Sequence, residues 1–349
     1  MLAHEKYIQR CIELANMGAG KVSPNPMVGS VIVFEDKIIG EGYHQEHGKA
    51  HAEVNAINDV LSRYPDGENI LRQSTIYVSL EPCAHFGKTP PCADLIIKHG
   101  IPNVVIGSPD PFEQVNGKGI EKLREAGVQV ISGVLQKECD FLNRRFFTGI
   151  KKQRPYIILK WAQTQDDFFA PADGTQRWIS SPDAKALTHR WRAEEDAILV
   201  GKNTALIDNP QLNVRSVEGK NPVRIVIDRN LELPTFLYLF DYSQNTIVFN
   251  SKRTHVDGNI KYLKLEDFDN LLPQLICYQL YLMDIQSLII EGGAKTLELF
   301  IKAGLWDEAR IITSPVLWGK GIKSPVVEGL LISEENVGPD HLKVILAQS

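Results

Sequence analysis

The chain has 349 residues, of which 43% are hydrophobic and 23% are charged, proportions that are usual for soluble globular proteins. This length predicts two domains, each long enough to bury a core of its own. The formal net charge of −5 leaves no basic surplus for nucleic acid or an anionic membrane, so a polynucleotide is a poor candidate for the substrate.

The cysteines and the N-terminus indicate a reducing compartment. The five cysteines are Cys11, Cys83, Cys92, Cys139 and Cys277, an odd and sparse set that does not suggest a disulfide framework. The N-terminus carries an early acid and lacks the apolar region of a signal peptide. Since there is also no run of about 18 apolar residues for a transmembrane helix, we expect a cytoplasmic protein.

The first half of the chain alternates between helical and strand-like patterns. Apolar residues at helical spacing predict a first helix over 5–16, and a β-branched run at 28–34 pairs with 37–42 as a hairpin. The elements predicted after the hairpin are helices at 51–61, 91–99 and 119–126 and strands at 75–79, 104–107 and 128–132. This order predicts a three-layer α/β sandwich.

A second alternating pattern follows the polar, basic segment 148–155, which is the best candidate for a linker. Strand-like runs lie at 156–159, 197–200, 223–227, 246–249, 287–290 and 309–312, and helical patterns at 183–193, 271–283 and 296–303. The pattern predicts a mainly parallel sheet with helices on both faces. We therefore predict one domain over residues 1–147 and another over residues 150–349.

A histidine, two cysteines and a glutamate in the first domain follow one another in the order of a zinc site. His51 and Glu53 open a predicted helix, and Cys83 and Cys92 come later. H-x-E followed by P-C and a second cysteine is the zinc nucleobase deaminase signature. One imidazole and two thiolates would bind Zn²⁺ and leave the fourth position for a water whose pKa the metal lowers. Glu53 would carry a proton from this water to the ring nitrogen and the leaving amine.

The same residues could instead form a structural zinc site. Such sites are normally closed by four protein ligands, and His44 or His85 could be the fourth. Either interpretation predicts one zinc per chain. The remaining cysteines have no metal-binding context, so we expect them to be packing residues.

Several motifs in the first domain are similar to one family. Eight residues separate Cys83 from Cys92, where two are usual, and the pattern P-C-x-H-x-G-x-T-P-P-C resembles the deaminase domain of the bifunctional riboflavin-biosynthesis enzymes. The loop P-N-P-M-V-G at 24–29 resembles that family's P-N-P-x-V-G loop, and G-Y-H at 42–44 resembles its G-x-H segment. The resemblance implies a cytidine-deaminase-like fold in which Asn25 contacts the substrate base.

A glycine turn is the main feature of the second half. Gly292 and Gly293 lie between a predicted strand and an apolar helix. Glycines allow close approach of the backbone to a phosphate, and a helix N-terminus offers unpaired N–H groups. The segment lacks the G-x-G-x-x-G pattern, so it does not support a Rossmann fold. The turn could also be an ordinary strand-to-helix connection.

The segments around this turn resemble the reductase domain of the same family, which is dihydrofolate-reductase-like and uses NADPH. The similar segments are 159–162, 178–182, 189–193, 203–215 and 223–228. The resemblance covers 150 to about 325 and is thin between 230 and 285. The family's S-x-D-G-x segment is T-Q-D-D-F at 164–168 here, so Asp167 stands where the family has glycine.

The resemblance implies two sets of ligand-binding residues in the second domain. The substrate set would be Gln176, Arg192, Leu212, Arg215 and Glu291, to which Lys160 is added because it could polarise the ribose carbonyl or contact the phosphate. The cofactor set would be Gln163, Trp178, Thr204, Asp208, Gly293, Ala294, Lys295, Thr296, Leu297, Glu298 and Leu299. Arg192 and Arg215 suit a sugar phosphate, because a guanidinium presents paired donors to phosphate oxygens.

The resemblance implies two consecutive reactions on a small pyrimidine ribotide phosphate. The first is hydrolytic deamination of 2,5-diamino-6-ribosylamino-4(3H)-pyrimidinone 5′-phosphate, and the second is NADPH-dependent reduction of the product's ribosyl group to ribityl. Composition and spacing alone predict only a zinc deaminase followed by an α/β domain of unknown role. One alternative is a zinc nucleic-acid base deaminase with an attached non-catalytic binding domain. Another is a zinc-stabilised scaffold with a decayed active site. We also expect a homo-oligomer, without nucleic-acid or membrane partners.

Overall fold

The computed structural model describes residues 2–84, 86, 90–112, 116–173, 175 and 177–348. The chain divides into two compact units, Met1–Lys152 and Gln153–Ser349. The boundary between the units lies within the predicted linker 148–155, but the helix Arg144–Lys152 occupies the first part of this segment, so only residues 153–155 are outside the helix. Phe147 and Thr148 bury one face of this helix, so its basic residues belong to an amphipathic helix and not to an extended connection.

The first unit is a mixed sheet with helices on both faces. Its strands are β1 (Gly29–Phe34), β2 (Lys37–Tyr43), β3 (Thr75–Leu80), β4 (Asn103–Ser108) and β5 (Gln129–Ser132). Its helices are α1 (Leu2–Asn16), α2 (Ala52–Arg63), α3 (Gly67–Leu71), α4 (Cys92–Lys98), α5 (Lys118–Glu125), α6 (Gln136–Leu142) and α7 (Arg144–Lys152). The sheet order is β2-β1-β3-β4-β5, with β1 antiparallel to both neighbours and β3, β4 and β5 parallel.

Strand alternation builds a separate core on each face of this sheet, because successive side chains point to opposite sides. On one face Ile32 packs in a cluster with Ile57 of α2. On the other face Val31 packs in a cluster with Ile8 of α1. These two cores confirm the predicted three-layer sandwich.

The second unit is built on one long sheet. Its strands are β6 (Tyr156–Thr164), β7 (Phe168–Ala170), β8 (Ala197–Gly201), β9 (Val223–Ile227), β10 (Thr246–Asn250), β11 (His255–Asp257), β12 (Ile260–Lys264), β13 (Ser287–Ile290), β14 (Glu308–Ser314), β15 (Ile322–Lys323), β16 (Gly329–Val337) and β17 (Asp340–Ala347). Its helices are α8 (Pro182–Glu194), α9 (Lys202–Asp208), α10 (Leu272–Tyr281) and α11 (Ala294–Lys302). The short strands β7 and β15 pair with each other outside the long sheet.

The long sheet has the order β11-β12-β10-β9-β8-β13-β6-β14-β17-β16 and is parallel from β12 to β14. Leu159 and Trp161 of β6 share a core cluster with residues of α10 and α11, while Ile158 shares another with residues of α8 and α9. The predicted parallel sheet with helices on both faces is therefore confirmed. The antiparallel hairpin of β16 and β17 was not predicted, because most of β16 is exposed and lacks a buried alternating pattern.

Candidate active sites

The three predicted zinc ligands converge where two helices begin. His51 directly precedes α2, Cys92 is the first residue of α4, and Cys83 lies in the loop after β3. His51 Nδ1 is 3.3 Å from Cys92 Sγ and 3.8 Å from Cys83 Sγ. The three ligand atoms all lie within 4.8 Å of one another. One imidazole and two thiolates in such a cluster are a donor set that binds Zn²⁺.

The ionisation of Cys83 also fits a metal, although a hydrogen bond with Cys83 and burial raise the pKa of Cys92 well above its usual value. A hydrogen bond with Cys92 and another with His51 lower the pKa of Cys83 to about 4. The backbone N–H of Cys92 donates to Cys83 Sγ at 3.3 Å, which further stabilises negative charge on this sulfur. Cys83 is therefore a thiolate at neutral pH, and the thiolate is the form of cysteine that binds metal.

His44 is engaged elsewhere and is not a fourth zinc ligand. Its Nδ1 lies 3.0 Å from the carbonyl oxygen of Ala50, which can only accept, so Nδ1 carries the proton. Nε2 then accepts a hydrogen bond from Asn25 Nδ2 at 3.1 Å. Among the residues that the structure describes, no further side chain joins the three-ligand cluster, and His85 lies outside these residues. The described cluster is open, as a catalytic zinc site requires.

Glu53 is placed to move protons beside this cluster. It lies in the first turn of α2 and is only 3% exposed. Burial raises the pKa of its carboxyl group, against the opposing attraction of His51. A raised pKa brings a carboxyl group closer to the operating pH, where proton transfer is most efficient. A Cβ at Gly42 would lie 2.4 Å from the carbonyl oxygen of Ala52, so the glycine lets α2 approach β2 this closely.

Two buried polar residues that the sequence did not single out hold the loops of this site. Glu81 is 4% exposed, and its carboxylate accepts backbone hydrogen bonds from Asp110 and Gly117 and from the first turn of α5. It thereby fixes the strand end just before Cys83. Asn143 Oδ1 accepts from the N–H of Met27 at 2.8 Å, and Asn143 Nδ2 donates to the carbonyl oxygen of Met27 at 2.9 Å. This pair of bonds anchors the loop that carries Asn25.

The predicted substrate residues of the second unit include a buried charge cluster. Arg192 of α8 donates two hydrogen bonds to Glu291, at 3.1 and 2.7 Å, and the two side chains are 12% and 10% exposed. Burial by itself would raise the pKa of Glu291, but attraction to Arg192 and Lys160 holds it at about 2. Burial lowers the pKa of Lys160, although Glu291 opposes the shift. Lys160, Arg192 and Glu291 are therefore brought together as one electrostatic unit.

Asn213 links the two predicted phosphate-binding arginines. Its carbonyl oxygen accepts from Arg192 Nη1 at 3.4 Å, and its Oδ1 accepts from Arg215 Nη1 at 2.8 Å. His189 lies nearby and is 5% exposed, and burial together with repulsion from both arginines lowers its pKa to about 4. His189 is thus neutral at pH 7, and the positive charge of this region comes from the guanidinium groups.

Three of the predicted cofactor residues, Gly293, Thr296 and Thr204, lie together at the start of α11. Gly293 caps this helix with φ +58°, and a Cβ there would lie 3.2 Å from Thr204 Oγ1 of α9. Thr296 donates its N–H to the carbonyl oxygen of Gly293 at 2.9 Å. Asp208 lies at the end of α9, where burial raises the pKa of its carboxyl group. A glycine with positive φ at a helix N-terminus fits a nucleotide phosphate.

Other residues of the predicted ligand sets differ in how their side chains are placed. Leu212 and Leu297 are buried in the cores, so their side chains are not available to a ligand, and the N–H of Leu297 donates to the carbonyl oxygen of Gly293 at 3.1 Å. Trp178 is 68% exposed, with Lys185 Nζ 4.5 Å from its ring centre. Gln176 lies outside the described residues. The remaining positions of the run, Ala294, Lys295, Glu298 and Leu299, lie on α11.

Comparisons with known proteins identify both units. Residues 1–108 match the family model of the cytidine and deoxycytidylate deaminase zinc-binding region. Residues 155–348 match the model of the RibD C-terminal domain. The second match contradicts the alternative of a nucleic-acid base deaminase, in which the second domain would be a non-catalytic binding domain.

Relatives match over nearly the whole chain. The riboflavin biosynthesis protein RibD of Aquifex aeolicus is 40% identical over 354 residues, covering 96% of each chain. RibD of Bacillus amyloliquefaciens is 37% identical, covering 93% of this chain and 88% of its own. The crystal structure of a diaminohydroxyphosphoribosylaminopyrimidine deaminase/5-amino-6-(5-phosphoribosylamino)uracil reductase from Thermotoga maritima has a TM-score of 0.90 at 36% identity, covering 99% of each chain. The chain therefore belongs to the RibD family of riboflavin biosynthesis proteins.

Proposed function

We propose that this chain catalyses two consecutive steps of riboflavin biosynthesis. The first unit deaminates 2,5-diamino-6-ribosylamino-4(3H)-pyrimidinone 5′-phosphate, and the second reduces the ribosyl group of the product to ribityl with NADPH. The observation that supports the proposal is that one chain carries two groups of side chains suited to different chemistry. One is an open His-Cys-Cys cluster beside a buried glutamate, and the other is an arginine-rich cluster with a glycine turn.

Deamination needs a nucleophile, a proton carrier and a hold on the base. Zinc, when bound by His51, Cys83 and Cys92, supplies a water of lowered pKa. Glu53 would move one proton from this water to the ring nitrogen as the oxygen bonds to the ring carbon, and would then move the second proton from that hydroxyl to the amine, which leaves as ammonia when the C–N bond breaks. Asn25 gives Nδ2 to His44, so its Oδ1 is the acceptor that engages an N–H group of the base.

Reduction needs the open-chain ribose to be polarised and its phosphate to be held. NADPH, when bound by the predicted cofactor residues, supplies the hydride. Lys160, with a lowered pKa that favours proton release, donates a proton to the ribose ring oxygen as the C1′–O4′ bond breaks, and the C1′=N bond formed by this ring opening is the group that accepts the hydride. Arg192 and Arg215, linked through Asn213, bind the 5′-phosphate.

The small-molecule substrate requires no surface for nucleic acid. In the part of the chain that the structure describes, no helix is both long and apolar enough to cross a membrane. A cytoplasmic location and a homo-oligomeric state remain predictions, and light scattering of the purified protein tests the oligomeric state. We also propose that the two domains, predicted over 1–147 and 150–349, fold independently, and because α7 continues to Lys152 the fragments to express are 1–152 and 153–349. Insolubility of both fragments, beside a soluble full chain, would refute this.

The activity is tested by incubating purified protein with the diaminopyrimidine ribotide, with and without NADPH, and identifying the products by mass. Without NADPH we expect the deaminated product alone. With NADPH we expect a product that has also gained two hydrogens, together with oxidation of the cofactor. A single-stranded oligonucleotide rich in cytosine serves as the control and should remain unchanged. An unaltered ribotide, or deamination of the oligonucleotide, would overturn the proposed function.

A further inference from the structure

We propose that Asp167 is a positioning residue for the cofactor, because it fixes the carboxamide of Gln163 so that this group presents an N–H donor to NADPH. The inference rests on the proposed reductase function, in which Gln163 contacts the cofactor. It concerns the turn between β6 and β7, where this chain carries an aspartate in place of the glycine of similar proteins.

The conformation of Asp167 is one that glycine adopts more easily. Its N–H donates to the carbonyl oxygen of Thr164 at 3.0 Å, which closes a tight turn, and its φ is +64°. A residue in this left-handed region after such a turn is usually glycine, although aspartate tolerates it better than most. Asp167 is exposed, so burial of its side chain does not offset the cost. The feature that distinguishes Asp167 from a glycine at this position is therefore the hydrogen-bonding contact of its side chain.

The contact between Asp167 and Gln163 is one of two hydrogen bonds that connect three side chains. Trp161 and Gln163 lie on the same face of β6, two residues apart. Trp161 Nε1 donates to Gln163 Oε1 at 2.8 Å, and Gln163 Nε2 donates to Asp167 Oδ1 at 2.8 Å. Trp161 is only 2% exposed, so the inner end of the chain is anchored in the core.

Trp161 and Asp167, the two hydrogen-bond partners of Gln163, determine the orientation of its carboxamide. An indole N–H can only donate, and a carboxylate can only accept, so both partners require the same assignment of Oε1 and Nε2 in Gln163. Nε2 has a second N–H that neither partner uses. The carboxamide therefore offers a donor in a fixed direction, and the matching group on the cofactor is an oxygen, such as an amide carbonyl, a ribose hydroxyl or a phosphate oxygen.

The turn itself is held by different contacts. The carboxylate of Asp166 accepts the backbone N–H groups of Trp318 and Gly319, at 3.2 and 2.7 Å. Thr164 Oγ1 donates to Asp166 Oδ1 at 2.6 Å and accepts the N–H of Phe168 at 2.9 Å. Replacing Asp167 leaves all of these bonds in place. Variants at this position consequently separate the positioning of Gln163 from the shape of the turn.

The test compares the affinity of the full-length protein for NADPH, measured by fluorescence titration, in Asp167→Gly and Asp167→Asn. Glycine suits the positive φ but removes the acceptor, so we expect NADPH affinity to fall roughly three- to tenfold, with an unchanged or higher Tm. The KM for NADPH should rise while kcat changes little. Asparagine keeps both an acceptor oxygen and a tolerance for positive φ, and should restore most of the affinity.

Two further variants make the test specific. Gln165→Gly adds a glycine to the same turn at an exposed position and should leave NADPH affinity unchanged. In a Gln163→Met background, Asp167→Gly should have no additional effect, because the carboxamide it positions is gone. Parental affinity in Asp167→Gly, or an equal loss in Gln165→Gly, would overturn the inference and leave the proposed function intact. A parent protein that does not bind NADPH would overturn the proposed reductase function, and this inference with it.

Discussion

The two candidate sites are assembled in different ways. In the first unit, three metal-ligand atoms within 4.8 Å come from the starts of two helices and the loop after β3, over residues 51–92. In the second unit, Lys160, Arg192 and Glu291 come from a strand, a helix and a strand end over a span of more than one hundred residues. A site built around one ion depends on each of its ligands. In a site spread over several elements, many contacts each contribute part of the binding free energy.

This difference predicts how each site fails. Losing one ligand of a three-ligand metal site removes the ion and all of the chemistry that depends on it. Losing one contact in the second site should weaken the binding of one ligand and leave the other nearly unaffected. Single substitutions in the two sites test this contrast.

Cys92→Ala should release zinc and lower the rate of deamination by roughly a thousandfold or more, because the metal supplies several kcal/mol of catalysis. Metal analysis and a deamination assay measure both changes, and reduction of pre-deaminated substrate should continue. Cys139→Ala is the matched control, since this cysteine of the same unit is fully buried but lies outside the cluster. Full zinc content in Cys92→Ala would refute the ligand assignment.

Arg215→Ala should raise the KM for the substrate of the reductase roughly ten- to a hundredfold, because a hydrogen bond to a charged group contributes about 1.5–3 kcal/mol of binding free energy. Steady-state kinetics measure this change, and NADPH affinity should remain at the parental value. Arg190→Ala, at an exposed position of α8, is the control for loss of one positive charge. An unchanged KM in Arg215→Ala would show that the phosphate is bound elsewhere.

Gly293→Val should lower the affinity for NADPH about tenfold, because a branched side chain is strained at φ +58° and would crowd Thr204. Titration with NADPH measures the loss, and deamination should not change. Gly304→Val is the matched control, since Gly304 has φ +64° at the other end of α11 and a Cβ there would meet no other atom within 4 Å. Equal losses of NADPH affinity in both variants would attribute the effect to strain alone.

The Arg192–Glu291 pair predicts a smaller effect, on stability at acid pH. The pKa of Glu291 is about 2 in the folded protein, below the usual value of about 4.3, so the unfolded chain binds the proton more readily. The stabilisation is complete above the unfolded pKa and is lost as the pH falls through the folded one. The difference in free energy of unfolding between the parent and Glu291→Gln should therefore narrow between about pH 4 and pH 2.

Urea unfolding at several pH values measures that difference. Glu266→Gln is the control, because the side chain of Glu266 is 83% exposed and its contribution should hardly depend on pH. If the difference in free energy of unfolding between the parent and Glu291→Gln stays constant down to pH 2, the ion pair is not the source of this stabilisation.

The zinc site could be predicted from the sequence because its residue types are restricted by chemistry and its spacing is short. His51, Glu53, Cys83 and Cys92 lie at the ends of elements whose patterns are clear. The residues that support the site could not be predicted. Asn143 acts on Met27 across 116 positions of the chain, so only the folded structure brings them together.

The fold could be predicted where burial imposes a regular pattern. The parallel strands of the second unit are apolar runs because both faces of the sheet are covered. The hairpin of β16 and β17 lacks such a pattern, since Leu330 is 61% exposed and most of its strand is exposed with it. The helix α7 was missed for a related reason, because its few buried residues stand among basic ones.

Glu53→Gln tests most directly whether the two sites of this chain act independently of each other. Glutamine keeps the shape of the side chain but cannot carry a proton, so deamination should fall roughly 10²- to 10⁴-fold while zinc is retained. In the same preparation, reduction of pre-deaminated substrate by NADPH should proceed at the parental rate. Deamination near the parental rate would show that Glu53 is not the proton carrier, and a parallel loss of both activities would show that the two sites are not independent.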